Sequence, residues 1–274
     1  MSYTFDHAMC AVTTLRAGAV VYGNLGFTPD EGGRHTVGTQ NSVVPLERGY
    51  LELLSVYDDA SARKSPRHRL ICEYLDREGG GLIGFALRTD TITADAERLS
   101  GSGLSFEGPV QAERVRPDGE VLTWQVLRVT PQPCPAVLPM LVAGDQSAPD
   151  FEGNRNAVTR CVGIALVTAA GGELVKTYQA LLGLESSGSR ERPGIAANAT
   201  VFDIDGFSIE ILEPSGPGPT KQALDRYGDS PFELSFRAGS LAPIESLLGL
   251  SAARGQVVIP AEMSLGVRMV VMVG

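Results

Sequence analysis

Few of the residues that mark common chemistries are present in this sequence. Of 274 residues, three are histidine (His7, His35 and His68), four are cysteine and one is tryptophan. Cys10, Cys72, Cys134 and Cys161 are far apart and form no Cys-x-x-Cys pair, so neither a thiolate metal site nor a thioredoxin-type motif is expected. Cys10 and Cys161 lie in strand-like apolar runs, which reads as buried free thiols in a reducing cytoplasm. Clustered positive charge is lacking as well. The formal net charge is -9 and no long run of one sign occurs, which argues against nucleic acid, because phosphate binding needs grouped Lys and Arg. The densest basic stretch, Arg63, Lys64, Arg67, His68 and Arg69, reads as a solvated loop. No apolar run approaches the ~20 residues that span a bilayer. Residues 1–10 carry neither the basic region nor the hydrophobic stretch of a signal peptide, so a cytoplasmic protein without a membrane partner is the expectation. A GxxxxGK[ST] loop and a GxSxG elbow are both missing, and Gly101-Ser102-Gly103 lacks the strand–helix context of a dinucleotide turn.

What is present is an ordinary share of apolar residues, 43%, in a chain long enough for one large or two compact domains. Those residues fall into a repeated order. Residues 5–13 read as a strand, 15–25 as a short amphipathic helix stopped by Gly26, and 41–46 and 49–57 as two strands, with a further short strand around 27–34. The order returns from Gly81: a strand over 82–88, a helix over 92–99, and strands over 110–116 and 121–129 around Pro117-Asp118-Gly119. It returns again with a strand over 161–168, a helix over 173–182 stopped by Gly183, and strands over 198–204 and 207–212 joined by Asp205-Gly206, a strong hairpin signal. A fourth copy places strands at 232–237, 257–259 and 267–273 and a helix at 244–250. The reading is an α+β protein of four βαβββ modules, at about 1–60 and 80–130 in an N-terminal half (1–145) and about 158–214 and 230–274 in a C-terminal half (155–274). The Pro-, Ala- and Gly-rich stretch 131–156 serves as the linker.

Three short segments carry a sharper signal: Gly33-Arg34-His35, Gly38-Thr39-Gln40-Asn41 and Gly49-Tyr50-Leu51-Glu52-Leu53-Leu54. With Asp6-His7-Ala8-Met9 in the first strand, they resemble the glyoxalase-like branch of the vicinal oxygen chelate superfamily. The resemblance implies modules that pair and curve their sheets into cups, with metal ligands on the first and last strands. It further implies lyases, isomerases, ring-cleaving dioxygenases and metal-free binding or resistance proteins. In the enzymes a divalent cation holds neighbouring oxygens of the substrate and stabilises enolate-like charge. Edge strands of such cups often dimerise, so a homodimer is an open expectation.

Candidate residues follow from strand alternation. His7 shares a face with Met9, and Glu52 shares one with Tyr50 and Leu54. A Glu inside Leu51-Glu52-Leu53-Leu54 is costly to bury without a partner, and imidazole plus carboxylate suits Zn, Fe, Mn, Ni or Co. Either His7 and Glu52 bind a metal, or they form a hydrogen bond that closes the core. Glu210 occupies the matching place in the third copy and is a third candidate ligand or a member of a salt bridge. The positions matching His7 fall near Ile83, Val162 and Phe232–Glu233, and none is His, so corresponding positions do not supply a full ligand set. His35, after Gly32-Gly33-Arg34, is either a polar residue of a flexible loop or lies over the mouth of the pocket as a general base, substrate-binding group or ligand. Glu52 is the second candidate catalytic group. Arg34, Gln40, Asn41, Tyr50 and Trp124 are candidates for substrate contact, each with a structural alternative in capping, packing or solvent exposure. Two functions stay open: a metal-dependent enzyme acting on an oxygenated small molecule, and a metal-free protein that holds a small molecule in the same cup.

Overall fold

The structure is a computed structural model, which describes residues 3–144 and 150–274. The first half begins β1 (Tyr3–Val12), α1 (Leu15–Asn24), β2 (Asp30–His35), β3 (Thr39–Pro45) and β4 (Tyr50–Val56). Two helices intervene, α2 (Asp59–Ala62) and α3 (Pro66–Glu78). β5 (Gly80–Thr89), α4 (Ile92–Ser100), β6 (Phe106–Val115), β7 (Val121–Val129) and β8 (Met140–Gly144) follow. The second half runs β9 (Val158–Val167), α5 (Gly171–Leu182), β10 (Gly188–Arg192), β11 (Ala197–Ile204), β12 (Phe207–Pro214), α6 (Pro219–Tyr227), β13 (Ser230–Ala238), α7 (Ala242–Leu248), β14 (Gln256–Ile259) and β15 (Arg268–Val273). The fold is thus α+β, and the β-α-β-β-β order holds through β12. After β12 only three strands are described, one short of the expected module.

The strands close into two units. β1-β4-β3-β2-β6-β7-β8-β5 form a closed barrel, and β10-β11-β12-β9-β13-β15-β14 form an open seven-stranded sheet. Corresponding strands pair alike: β1 is parallel to β4 and antiparallel to β5, as β9 is parallel to β12 and antiparallel to β13. Closure removes the edges that an open sheet leaves unpaired. One apolar cluster runs through both halves, including Phe5, Phe85, Phe207 and Phe236. Phe5 stacks on Phe207 at 4.6 Å, so the second sheet presses on the outer face of β1.

Local chemistry explains the boundaries. Thr14 Oγ1 accepts from the Ala17 amide and starts α1, while Gly79 and Gly183 end α3 and α5 in left-handed conformations. Asp205 (φ 50°) and Gly206 (φ 77°) make the tight β11–β12 turn that their dipeptide predicts.

Two expectations need correction. The basic stretch is a loop only at Arg63 and Lys64: Pro66 opens α3 at a position where its missing N–H costs nothing, Arg67, His68 and Arg69 follow within the helix, and Ile71, Cys72 and Tyr74 are buried from it. The segment 131–156 is not only a linker, because β8 within it pairs with β5 and β7 and completes the barrel. Among the described residues no helix is long and apolar enough to cross a membrane.

Candidate active site in the barrel

The barrel encloses a cavity of about 500 Å³ that contains all three histidines of the chain. Alternation supplies its walls. β1 turns in His7 and Met9, β3 Thr39 and Asn41, β4 Tyr50, Glu52 and Leu54, and β7 Trp124, Val126 and Arg128. Ser65, Arg67, His68 and Ile71, at and near the start of α3, line another side. There Ile71 and Tyr74 pack with Met9, Ala11, Leu54 and Ile83.

Glu52 is the centre of the arrangement. Its carboxylate is buried, and Asn41 Nδ2 donates to Oε1 at 2.7 Å. His7 Nε2 stands 3.8 Å from Oε2, and His35 Nε2 stands 3.9 Å from Oε1. Both distances exceed hydrogen-bond reach. The other nitrogen of each ring is held from behind: His7 Nδ1 is 2.6 Å from Asp6 Oδ1, and His35 Nδ1 is 2.9 Å from Thr39 Oγ1. Tyr50 stacks on the His7 ring at 4.9 Å, and Trp124 meets His35 edge-on at 6.4 Å.

Asp6 reaches His7 because of a bulge. The β1–β5 ladder pairs Phe5 with Leu87 and His7 with Ala86, which leaves Asp6 as the extra residue. Its second oxygen accepts from Arg88 at 2.9 Å. Burial pushes the Asp6 carboxyl up, but the His7 hydrogen bond, the His7 charge and Arg88 together hold it below its ordinary range. An ionised carboxylate only accepts, so His7 donates from Nδ1 to Asp6 and turns Nε2 toward Glu52. Burial likewise pushes Glu52 up, yet His7, His35, the Asn41 hydrogen bond and Arg114 outweigh it and keep Glu52 anionic. Burial lowers the His35 pKa against the pull of Glu52.

Gly32 and Gly33 belong to β2 and are not a lid. A Cβ on Gly32 would lie 2.1 Å from Asn41 Oδ1. The space left by that missing atom admits the Asn41 amide, whose Oδ1 accepts from the Gly33 amide at 2.9 Å.

Of the candidates read from sequence, His7, His35, Asn41, Tyr50, Glu52 and Trp124 come together in the cavity. Arg34 and Gln40 do not. Each alternates with an inward neighbour, so Arg34 points outward over the Tyr57 ring at 4.9 Å and Gln40 donates to Ser55 Oγ at 3.3 Å on the outer side. Glu210 lies on β12 of the other sheet and does not share the cavity with His7. Arg190 and Arg192 hold it, and Arg192 and Arg268 each hold Glu233 at 2.7 Å. Glu210 and Glu233 pair with the same residue, Ala165, so the two carboxylates stand across one strand inside a shell of guanidiniums.

A His, His, carboxylate donor set suits a divalent transition ion. Nitrogen and oxygen ligands sharing a tetrahedral zinc lie roughly 3.4 Å apart. The 3.8 and 3.9 Å spacings, to the two different oxygens of Glu52, are both longer than that. Among the described residues no three His, Cys, Asp or Glu side chains already stand as a closed metal group. The donors thus suit the ion in type, while no three of them are already grouped around one point.

The glyoxalase-like domain model matches residues 5–182. The chain belongs to the glyoxalase-like domain family. Its cups are those of the vicinal oxygen chelate fold. A hypothetical protein from Staphylococcus aureus superposes with a TM-score of 0.72 at 15% identity, covering 99% of this chain and all of that one (100%). A variant of 4-hydroxymandelate synthase from Streptomyces coelicolor superposes with a TM-score of 0.68 at 14% identity, covering 99% of this chain and 92% of that one. Among curated protein sequences none matches significantly.

Proposed function

We propose that this glyoxalase-like protein is an enzyme acting on an oxygenated small molecule, with His7, His35 and Glu52 as its reactive centre. The observation that carries the reading is the convergence of two imidazole Nε2 atoms on the two oxygens of one buried carboxylate, with both Nδ1 atoms anchored. Catalytic groups are typically held this way, by partners that fix ring orientation and tautomer. His7, His35 and Glu52 would hold a divalent ion, which as a Lewis acid stabilises negative charge developing on neighbouring substrate oxygens in lyase, isomerase or dioxygenase chemistry. The chain's own contributions are distinct from that. Asn41 pins Oε1 of Glu52, Tyr50 fixes the plane of His7, and Thr39 orients the His35 ring through Nδ1. The Trp124 and Val126 side of the cavity offers an apolar surface and limits water.

A second reading, a metal-free protein that sequesters a small molecule, is favoured by one observation. Asn41 and Arg114 already offset part of the Glu52 charge without an ion. Elemental analysis of untagged protein decides between the two, with His7→Ala, His35→Ala and Glu52→Ala beside wild type and Glu210→Gln as control. About one transition metal per chain, lost in the first three variants and kept in the fourth, supports the enzyme. No metal in wild type, and none after reconstitution with Zn, Mn, Ni or Fe(II), removes the chelate chemistry and leaves the binding protein.

A further inference from the structure

Arginine in an apolar interior needs an anion, and the barrel holds three whose needs are unmet. Arg114 is 4% exposed on β6, and its Nε is buried without a hydrogen-bond partner. Arg128 on β7 has the same orphaned Nε, and its one ion pair is a long one, 3.9 Å to Glu107 at the exposed rim. Arg67, in the first turn of α3, reaches the Met9 sulfur at 3.8 Å, its one hydrogen-bond partner among the described residues. Among the described residues neither Arg67 nor Arg114 has a carboxylate within ion-pair distance, although all three arginines line the same cavity.

Buried N–H donors without partners are rare in folded proteins, and each calls for an acceptor from water, an ion or a ligand. Like charges do not gather by themselves. Burial, reinforced by the facing Arg128, brings Arg67 down to about 10, and burial followed by Arg67 and Arg128 brings His68 down to about 4. The deep anion, Glu52, accepts from Asn41 and, among the described residues, is within ion-pair distance of none of the three guanidiniums. Exposed arginines would lie on the outer faces of β6 and β7. These instead continue the inward alternation Val110-Ala112-Arg114 and Trp124-Val126-Arg128.

We propose that Arg67, Arg114 and Arg128 bind the oxyanion of a small organic acid, a carboxylate or phosphate monoester, whose apolar or aromatic body lies against Trp124. A planar guanidinium offers paired donors that match such oxygens. The cavity of about 500 Å³ admits a body of one or two rings beside the charged group. The inference rests on the barrel cavity being the ligand site. It does not depend on a bound metal.

Trp124 is the single tryptophan of the chain, so its fluorescence reports on this cavity alone. The experiment titrates wild type, Arg67→Met, Arg114→Met and Arg128→Met with phenylacetate, phenyl phosphate and the neutral phenylacetamide, and records thermal unfolding of each protein. Wild type is expected to bind one anion roughly ten- to a hundred-fold more tightly than the amide. Most of that preference should vanish in each variant while the melting temperature holds or rises, because an unpaired buried charge has been removed. Preference for phenylacetate or for phenyl phosphate tells which oxyanion the site fits. Equal binding of acid and amide overturns the proposal and leaves the cavity as the ligand site. No binding of any probe, or an anion preference that survives all three substitutions, overturns it too. A lowered melting temperature with intact anion preference would make the arginines structural.

Discussion

Asp6 offers the sharpest test of how this site is held. Asp6→Asn changes one atom of a residue that is 2% exposed and leaves its shape intact. In wild type the carboxylate accepts from His7 at 2.6 Å and from Arg88 at 2.9 Å. An asparagine keeps one acceptor oxygen for Arg88 but presents an NH2 group to His7. The imidazole then accepts at Nδ1 and carries its proton at Nε2, which faces Glu52. Lost charge assistance on the buried bond costs about 1.5–2 kcal/mol of stability. The Arg88 bond adds little, because that side chain is 39% exposed and screened by solvent. The effect on the site is larger than the effect on the fold. With Nε2 no longer offering a lone pair, metal affinity is expected to fall about 10- to 100-fold. Urea unfolding measures the first quantity, competition with a chromophoric chelator the second, and 15N shifts of the His7 ring read the tautomer. An Asp6→Asn protein with wild-type metal affinity and an unchanged His7 tautomer would refute the reasoning, whatever its stability.

The cavity makes two further demands. His68 is held neutral, its pKa lowered from 6.5 to about 4, chiefly by burial. Between those values the unfolded chain binds the extra proton, so stability is complete above about pH 6.5 and falls as the pH drops toward 4. The loss is about 2–3 kcal/mol. Urea midpoints at pH 7 and pH 4.5 should therefore differ less in His68→Asn than in wild type, with the residual slope due to His35 and to carboxylates such as Glu52 and Asp6 that are also held low, and equal slopes would count against the assignment. Gly32→Ala places a Cβ 2.1 Å from Asn41 Oδ1 and 2.5 Å from the Asn41 carbonyl oxygen. It should cost about 1–3 kcal/mol through overpacking and loosen the Asn41–Glu52 bond. A change in urea stability within about 0.5 kcal/mol would show that β2 and β3 yield more easily than the geometry implies.

How far the site was legible in the sequence depended on whether a residue's neighbours constrained it. His7 and Glu52 sit in apolar strands where alternation assigns one face to the interior, and both point there. The same rule could have divided Gln40 from Asn41 and Arg34 from His35, since adjacent strand residues face opposite ways. Asp6 escaped because a bulge breaks that rule, and a bulge leaves no mark in residue order. Arg114 and Arg128 did leave one: each is a charged residue at an inward step of an otherwise apolar alternation. Arg67 and His68 were hidden by their basic neighbours. Ser65-Pro66 ahead of Ile71, Tyr74 and Leu75 is a helix start followed by an apolar face, and reading it would have carried them off the solvated surface.

The two halves show how one architecture yields an open site and a shut one. Glu52 on β4 and Glu210 on β12 occupy corresponding strands, each parallel to the first strand of its half. Around Glu52 stand two imidazoles and an amide, groups that are neutral or weakly charged and can exchange partners. Around Glu210 stand Arg190 and Arg192, permanently charged and already bonded to it. A carboxylate bonded by guanidiniums is closed to a ligand, whereas one with two imidazole nitrogens at nearly 4 Å still has bonds to make. Arg114 and Arg128 of the barrel are in the reverse condition, each with a buried Nε still to be bonded. Chemistry is therefore to be sought in the first half. The second half, stacked through Phe207 on Phe5, braces the strand that carries Asp6 and His7.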